Sequence, residues 1–173
     1  MKLIETDPGR LAAVALFPVV ADRAINLHLG LSPRYRGAAC LFWPFYFMEP
    51  AFAGSTVHYI VYEPDAGNIV HQVTPELERE DGIHDVGCKT VIASARDIGK
   101  LLNRYAADGK WDLRTQKSTG KNFLYRDFRP EHLRVNYDLF NDRMVESYLA
   151  GNLTIDAKVK AQVAAQLAKD GWK

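Results

Sequence analysis

Residues 55–94 constrain the fold more than any other stretch, because runs of β-branched and aromatic residues alternate there with turn chemistry. The first run, residues 56–63, reads Thr-Val-His-Tyr-Ile-Val-Tyr-Glu, and the second, residues 68–74, reads Asn-Ile-Val-His-Gln-Val-Thr. Between them Pro64 fixes one φ and Gly67 accepts a positive one, as a reversing turn requires. A third run, residues 86–93, predicts another strand. With Glu63 opposite Asn68, Ile60 faces His71 and His58 faces Val73, so His58 and His71 become diagonal neighbours on one face. A slip of one residue would put them on opposite faces.

Helices complete the reading. Ser94 with Asp97 resembles a capping box, and Ile98, Leu101, Leu102, Tyr105 and Ala106 follow at helical spacing up to Asp108-Gly109. Asp7-Pro8 opens a short helix, and Ile25, Leu27, Leu29 and Leu31 alternate as a strand whose polar side carries Asn26 and His28, the latter read as solvated. Residues 32–37 form a loop with two arginines. Residues 41–48 are aromatic and extended, with Pro44 confining them to a sheet edge. Leu133, Val135, Tyr137 and Leu139 alternate as a strand in competition with a helix; Asn141 caps a helix closed by Gly151, and residues 156–169 form the last. The expected architecture is one α+β domain over residues 1–173, with a mostly antiparallel sheet of four to six strands, helices packed on one face and a helical C-terminus.

Composition narrows the classes. A net charge of +1, from 22 basic and 21 acidic residues, gives no global attraction to nucleic acid or anionic lipid. The most apolar block, residues 38–54, is too short to span a bilayer, and the start does not read as a signal peptide, so a cytoplasmic protein is expected. Cys40 and Cys88 lack metal-ligand spacing. Ser118-Thr-Gly-Lys121 fails as a phosphate loop, and no zincin, serine-hydrolase or dinucleotide motif occurs. His58, His71, His84 and Cys88 match no metal signature, so neither metal nor cofactor is expected.

The leading functional expectation is therefore a small binding protein, an inhibitor or accessory factor of a larger bacterial-type assembly, that docks through Phe42, Trp43, Phe45 and Tyr46. The opposed acidic stretch at 76–85 and basic stretch at 110–134 would steer a protein partner or a second copy of the chain. One alternative is nucleic-acid binding through Lys117, Lys121, Tyr125, Arg126 and Arg129, which join cations to an aromatic platform. Another is a cysteine-dependent hydrolase or transferase with Cys88 as nucleophile and His84 or His132 as base.

Overall fold

The computed structural model describes residues 24–117 and 120–153, so the helices expected at residues 7–16 and 156–169 lie outside the described residues. In chain order the elements are β1 (Ile25–His28), β2 (Tyr35–Gly37), α1 (Trp43–Tyr46), β3 (Ser55–Tyr59), β4 (Ile69–Val73), α2 (Ile83–Asp108), β5 (Lys121–Phe123), α3 (Leu133–Phe140) and α4 (Met144–Leu149). Strands β1, β3 and β4 form an antiparallel sheet in that spatial order, while β2 and β5 form a separate parallel pair. The architecture is helices around a small sheet. Among the described residues these two small sheets stand where the sequence suggested a single, larger antiparallel one.

The largest correction is at residues 86–93, which are helix. Helix α2 begins eleven residues before Ser94: the Asp85 carboxylate accepts from the Gly82 amide at 2.9 Å, and Asp142 accepts from the Ile83 amide at 2.9 Å. Two otherwise orphaned donors of the first turn are thereby satisfied. Ser94 and Asp97, which resemble a cap, bind the helix to the sheet instead. Ser94 Oγ lies 2.6 Å from both Ser55 Oγ and the Thr90 carbonyl, and Asp97 faces His71 on β4. Thr90 adds a hydrogen bond to the Ala53 carbonyl. A β-branched run thus sits in a helix because its small hydroxyls allow close approach to the sheet. Gly109, at φ 68°, ends the helix with its amide on the Tyr105 carbonyl.

The aromatic segment is also not an extended edge. Pro44 occupies the first turn of α1, where its missing donor costs nothing. Trp43 stacks on Phe123 of β5 at 4.6 Å, and Phe42 meets Phe128 edge to face at 4.9 Å. Trp43 Nε1 donates to the Ala38 carbonyl. Phe42, Trp43 and Phe45 are 8%, 3% and 1% exposed, so the segment proposed for docking is the core. Residues 133–139 belong to α3, whose end is turned by Asn141 and Asp142 at positive φ. Asn141 therefore closes α3 where the sequence suggested that it opens the next helix.

Truncating Phe45 tests this placement. Phe45→Ala should lower the unfolding free energy by about 3–5 kcal/mol in urea denaturation, as for other deeply buried aromatics; a loss below about 1 kcal/mol would place Phe45 at the surface.

Candidate active site

The pairing of β1 with β3 places Asn26 opposite His58 and His28 opposite Thr56, so two polar pairs share one sheet face. On β3 and β4, Val57 pairs with His71 and His58 with Ile69, with a bulge between Val57 and His58. The strands stop pairing at Tyr59 and Asn68, much earlier than a tight turn at Pro64–Gly67 would require. The expected register is thereby off by three residues at Val57–His71 and, past the bulge, by four at His58–Ile69. His58 turns toward β1, and His71 goes to the other face. The longer loop folds back over the first face and delivers Asp65, at φ 52°, between the two imidazoles.

Four side chains converge. Asp65 Oδ2 is 3.3 Å from His28 Nδ1, and Asp65 Oδ1 is 3.3 Å from His58 Nε2. Asn26 Nδ2 lies 3.3 Å from His58 Nε2 and donates to Asp65 Oδ1 at 3.4 Å. His28 and His58 are 7% and 3% exposed, and their rings meet edge to face at 6.3 Å.

The backbone sets the proton positions. His58 Nδ1 donates to the Tyr59 carbonyl at 2.8 Å, so a neutral His58 accepts at Nε2 from Asn26. His28 Nε2 donates to the Tyr35 carbonyl at 3.0 Å, which leaves Nδ1 of the neutral ring facing a carboxylate. That contact becomes favourable when a proton sits between them. Burial holds the His28 pKa below its ordinary value, opposed by Asp65 and the Tyr35 carbonyl. Burial disfavours the Asp65 carboxylate too, but His58, His28 and the Gly37 amide outweigh it and leave its pKa below the ordinary carboxylate value. Both shifts favour neutral imidazole beside carboxylate, and the geometry lets His28 Nδ1 and Asp65 share a proton. Among the described residues the Asn26 amide is held by long hydrogen bonds, and it can turn its donor to an incoming oxygen.

The surrounding loop is anchored closely. Gly37 N donates to Asp65 Oδ2 at 2.9 Å from φ 93°, and a side chain at Gly30 would collide with the His28 ring. Arg34 forks onto the buried Glu49 carboxylate, which also accepts from the Tyr35 hydroxyl at 2.8 Å. Burial and Glu49 push the Tyr35 pKa up. Cys40, pushed up to about 12 by burial and Asp65, stays a neutral thiol donating to the Gly37 carbonyl.

The residues nominated from sequence lie elsewhere. Cys88 is exposed on α2, one turn after His84, whose Nε2 is 3.2 Å from Tyr137 Oη. His132 packs on the Tyr46 ring at 4.8 Å. No hydrogen bond joins Cys88 to either histidine among the described residues, and α2 replaces the strand in which Cys88 was placed. Lys121 lies over the Phe123 ring, and Tyr125, Arg126 and Arg129 are exposed on the stretch that follows; Lys117 precedes them. The acidic stretch pairs with α2 and α4 through Glu78 and Asp81 to Lys89 and Arg79 to Glu146. The four-residue His58, His71, His84 and Cys88 set is dispersed, and no metal-holding group of three occurs among the described residues.

Asn26, His28 and Asp65 were passed over. Asn26 and His28 occupied the polar side of an alternating strand, and Asp65 read as turn chemistry. The available signal was two polar residues at i and i+2 on one strand with a histidine on the next. Acid should act on this site first. Because the folded pKa of His28 lies below the unfolded 6.5, the unfolded chain binds more protons in that window, and stability falls as pH drops through 6.5 toward the folded value. His28→Gln should flatten this slope in urea midpoints measured from about pH 5 to about pH 7.5; an unchanged slope would remove His28 as its source.

Comparison with known proteins gives the site its context. The formyl transferase family model matches residues 9–95, half of the chain, a span that contains Asn26, His28, His58 and Asp65. Methionyl-tRNA formyltransferase of Staphylococcus aureus strain MW2 is 29% identical over 130 residues, covering 75% of this chain and 41% of that protein. The Staphylococcus epidermidis methionyl-tRNA formyltransferase is 33% identical over 94 residues, covering 54% of this chain and 30% of that protein. The chain spans about two fifths or less of the length of these relatives. Among solved structures, the formyltransferase PseJ from Anoxybacillus kamchatkensis superposes with TM-score 0.63 at 21% identity over 84% of this chain and 71% of that one. A 4-N formyltransferase from Francisella tularensis gives TM-score 0.54 at 22% identity over 65% and 50%. These matches overturn the expectation of an inhibitor or docking protein, and they point to enzymes. The chain belongs to the formyl transferase family.

Proposed function

We propose that this chain supplies the amine-activating and oxyanion-binding groups of a formyl transfer from a folate-class donor to a primary amine. The observation that carries the reading is the convergence of Asn26, His28, His58 and Asp65 within the matched residues. The curated relatives are named for methionyl-tRNA, and the PseJ structure holds a formamido nucleotide sugar with tetrahydrofolate. An amine acceptor and a tetrahydrofolate donor fit the chemistry of the cluster.

The reaction has three demands. The amine lone pair attacks the formyl carbon and forms the new C–N bond while the carbonyl electrons move to oxygen. Asn26 Nδ2 donates to that developing oxyanion. The attacking amine loses a proton to the His28–Asp65 pair, where the Tyr35 carbonyl and Asp65 stabilise the resulting imidazolium. Collapse of the tetrahedral intermediate breaks the donor C–N bond, and the proton passes to the departing donor nitrogen. Nothing is oxidised or reduced.

The test is direct. The protein incubated with formyl-tetrahydrofolate and either methionyl-tRNA or an amino nucleotide sugar should produce the formylated amine, detected by mass spectrometry. Asp65→Asn and His28→Ala should slow transfer by about 10²–10⁴ with circular dichroism unchanged. Full activity in both variants would sink the assignment of the base.

A further inference from the structure

Asp65 carries the proton-accepting chemistry on a loop, at a backbone conformation that non-glycine residues seldom adopt. Such a residue needs external support to keep its carboxylate within ~0.5 Å of a productive position. The Gly37 amide holds the carboxylate and Ser32 Oγ donates to the Asp65 carbonyl at 3.3 Å, and further support comes from residues 113–117, beyond the part matched by the family model. Arg114 exchanges two backbone hydrogen bonds with Ile69, at 2.7 and 2.9 Å, and so extends the outer edge of β4. Its guanidinium also donates to Gln72 Oε1 at 3.2 Å. Two residues later, Gln116 reaches under the loop. Its Nε2 donates to the Asp65 carbonyl at 3.0 Å and to the Gly67 carbonyl at 2.6 Å. The opposite amide orientation would set an oxygen against two carbonyls, so this one is fixed by chemistry. Among the described residues Gln116 Oε1 is buried with no hydrogen-bond partner, so the two carbonyl contacts are the ones that hold this amide in place there.

We infer that Gln116 is a positioning residue for Asp65, clamping the carbonyls on either side of Ala66 so that the carboxylate stays between His28 and His58. It touches neither imidazole and acts through the backbone. The inference rests on reading the cluster as the transfer site, but its signature is visible without turnover. When the clamp is removed, Asp65 should spend less time against the imidazoles. Its pKa should then rise toward the ordinary carboxylate value, and that of His28 should fall further, because Asp65 is the charge that supports its protonated form.

The experiment compares wild type, Gln116→Met, which keeps the length and removes the donor, Gln116→Ala, and Thr115→Ala as an exposed neighbour. Imidazole and carboxyl titrations are followed by NMR in the full chain. The expected result is the paired shift, Asp65 up and His28 down, in both Gln116 variants and neither shift in Thr115→Ala. With formyl transfer established, kcat should fall about tenfold to a hundredfold while KM for the amine changes little. Titrations identical to wild type in Gln116→Met would overturn the inference, as would loss of the fold in both Gln116 variants, since the residue would then serve the whole structure. The shifts without any formyl transfer would uphold the clamp and count against the proposed reaction alone.

Discussion

The buried hydroxyl of Thr56 is the junction on which the site depends. It donates to the Gly30 carbonyl at 2.7 Å and accepts from the Ser32 amide and from Gln72 Nε2, both at 3.0 Å. One side chain on the central strand therefore binds the chain leaving β1 and the side chain of a residue on β4. Gln72 also donates to the Ser32 carbonyl at 2.7 Å, closing a ring of satisfied groups away from water. An unmatched group in such a ring costs about 1–3 kcal/mol, so the members hold one another in a single arrangement. The loop at residues 29–37 can then present the Tyr35 carbonyl to His28 and the Gly37 amide to Asp65 from a fixed base. Removing the hydroxyl would loosen both contacts without touching the His28 or Asp65 side chain.

The aromatic core performs the complementary task from beneath. Phe123 lies between Tyr35 and Trp43, with ring centroids at 5.9 and 4.6 Å, and the parallel pairing of β2 with β5 aligns Gly37 with Phe123. A side chain at Gly37 would meet the Phe123 carbonyl. Close backbone contact is thus required there, and it sets the height at which the Gly37 amide meets Asp65. The dense aromatic run at residues 42–46 packs this platform, with Phe42, Trp43 and Phe45 buried.

Local sequence carried the strands at residues 25–28, 55–59 and 69–73 and the later turns of α2, because these depend on neighbours within a few residues. It misplaced what depends on distant groups. The start of α2 is capped by Asp142, 59 residues away from Ile83, and no local pattern contains that partner. Val86, Thr90, Val91 and Ile92 have the composition of a strand, and tertiary packing through Thr90 and Ser94 overrides it. The site failed to appear for a related reason. Asp65 was legible only as turn chemistry, because its placement comes from a loop longer than the expected turn at Pro64–Gly67 and from a bulge that reverses His58 relative to His71.

That bulge gives one sheet two imidazole–carboxylate pairs with different capacities. On the helix-covered face, His71 Nε2 meets Asp97 at 3.0 Å, with about a third of each side chain open to water and Lys100 also on the carboxylate. There solvent screens the contact, which fastens α2 to the sheet. On the other face, His28 and His58 are almost fully enclosed and share one carboxylate. Low dielectric makes each proton position matter, and two backbone carbonyls dictate which nitrogen is protonated at rest. The same residue types at similar contact distances fasten the fold on one face and enclose a shared carboxylate on the other, and burial together with the direction of two carbonyls makes the difference.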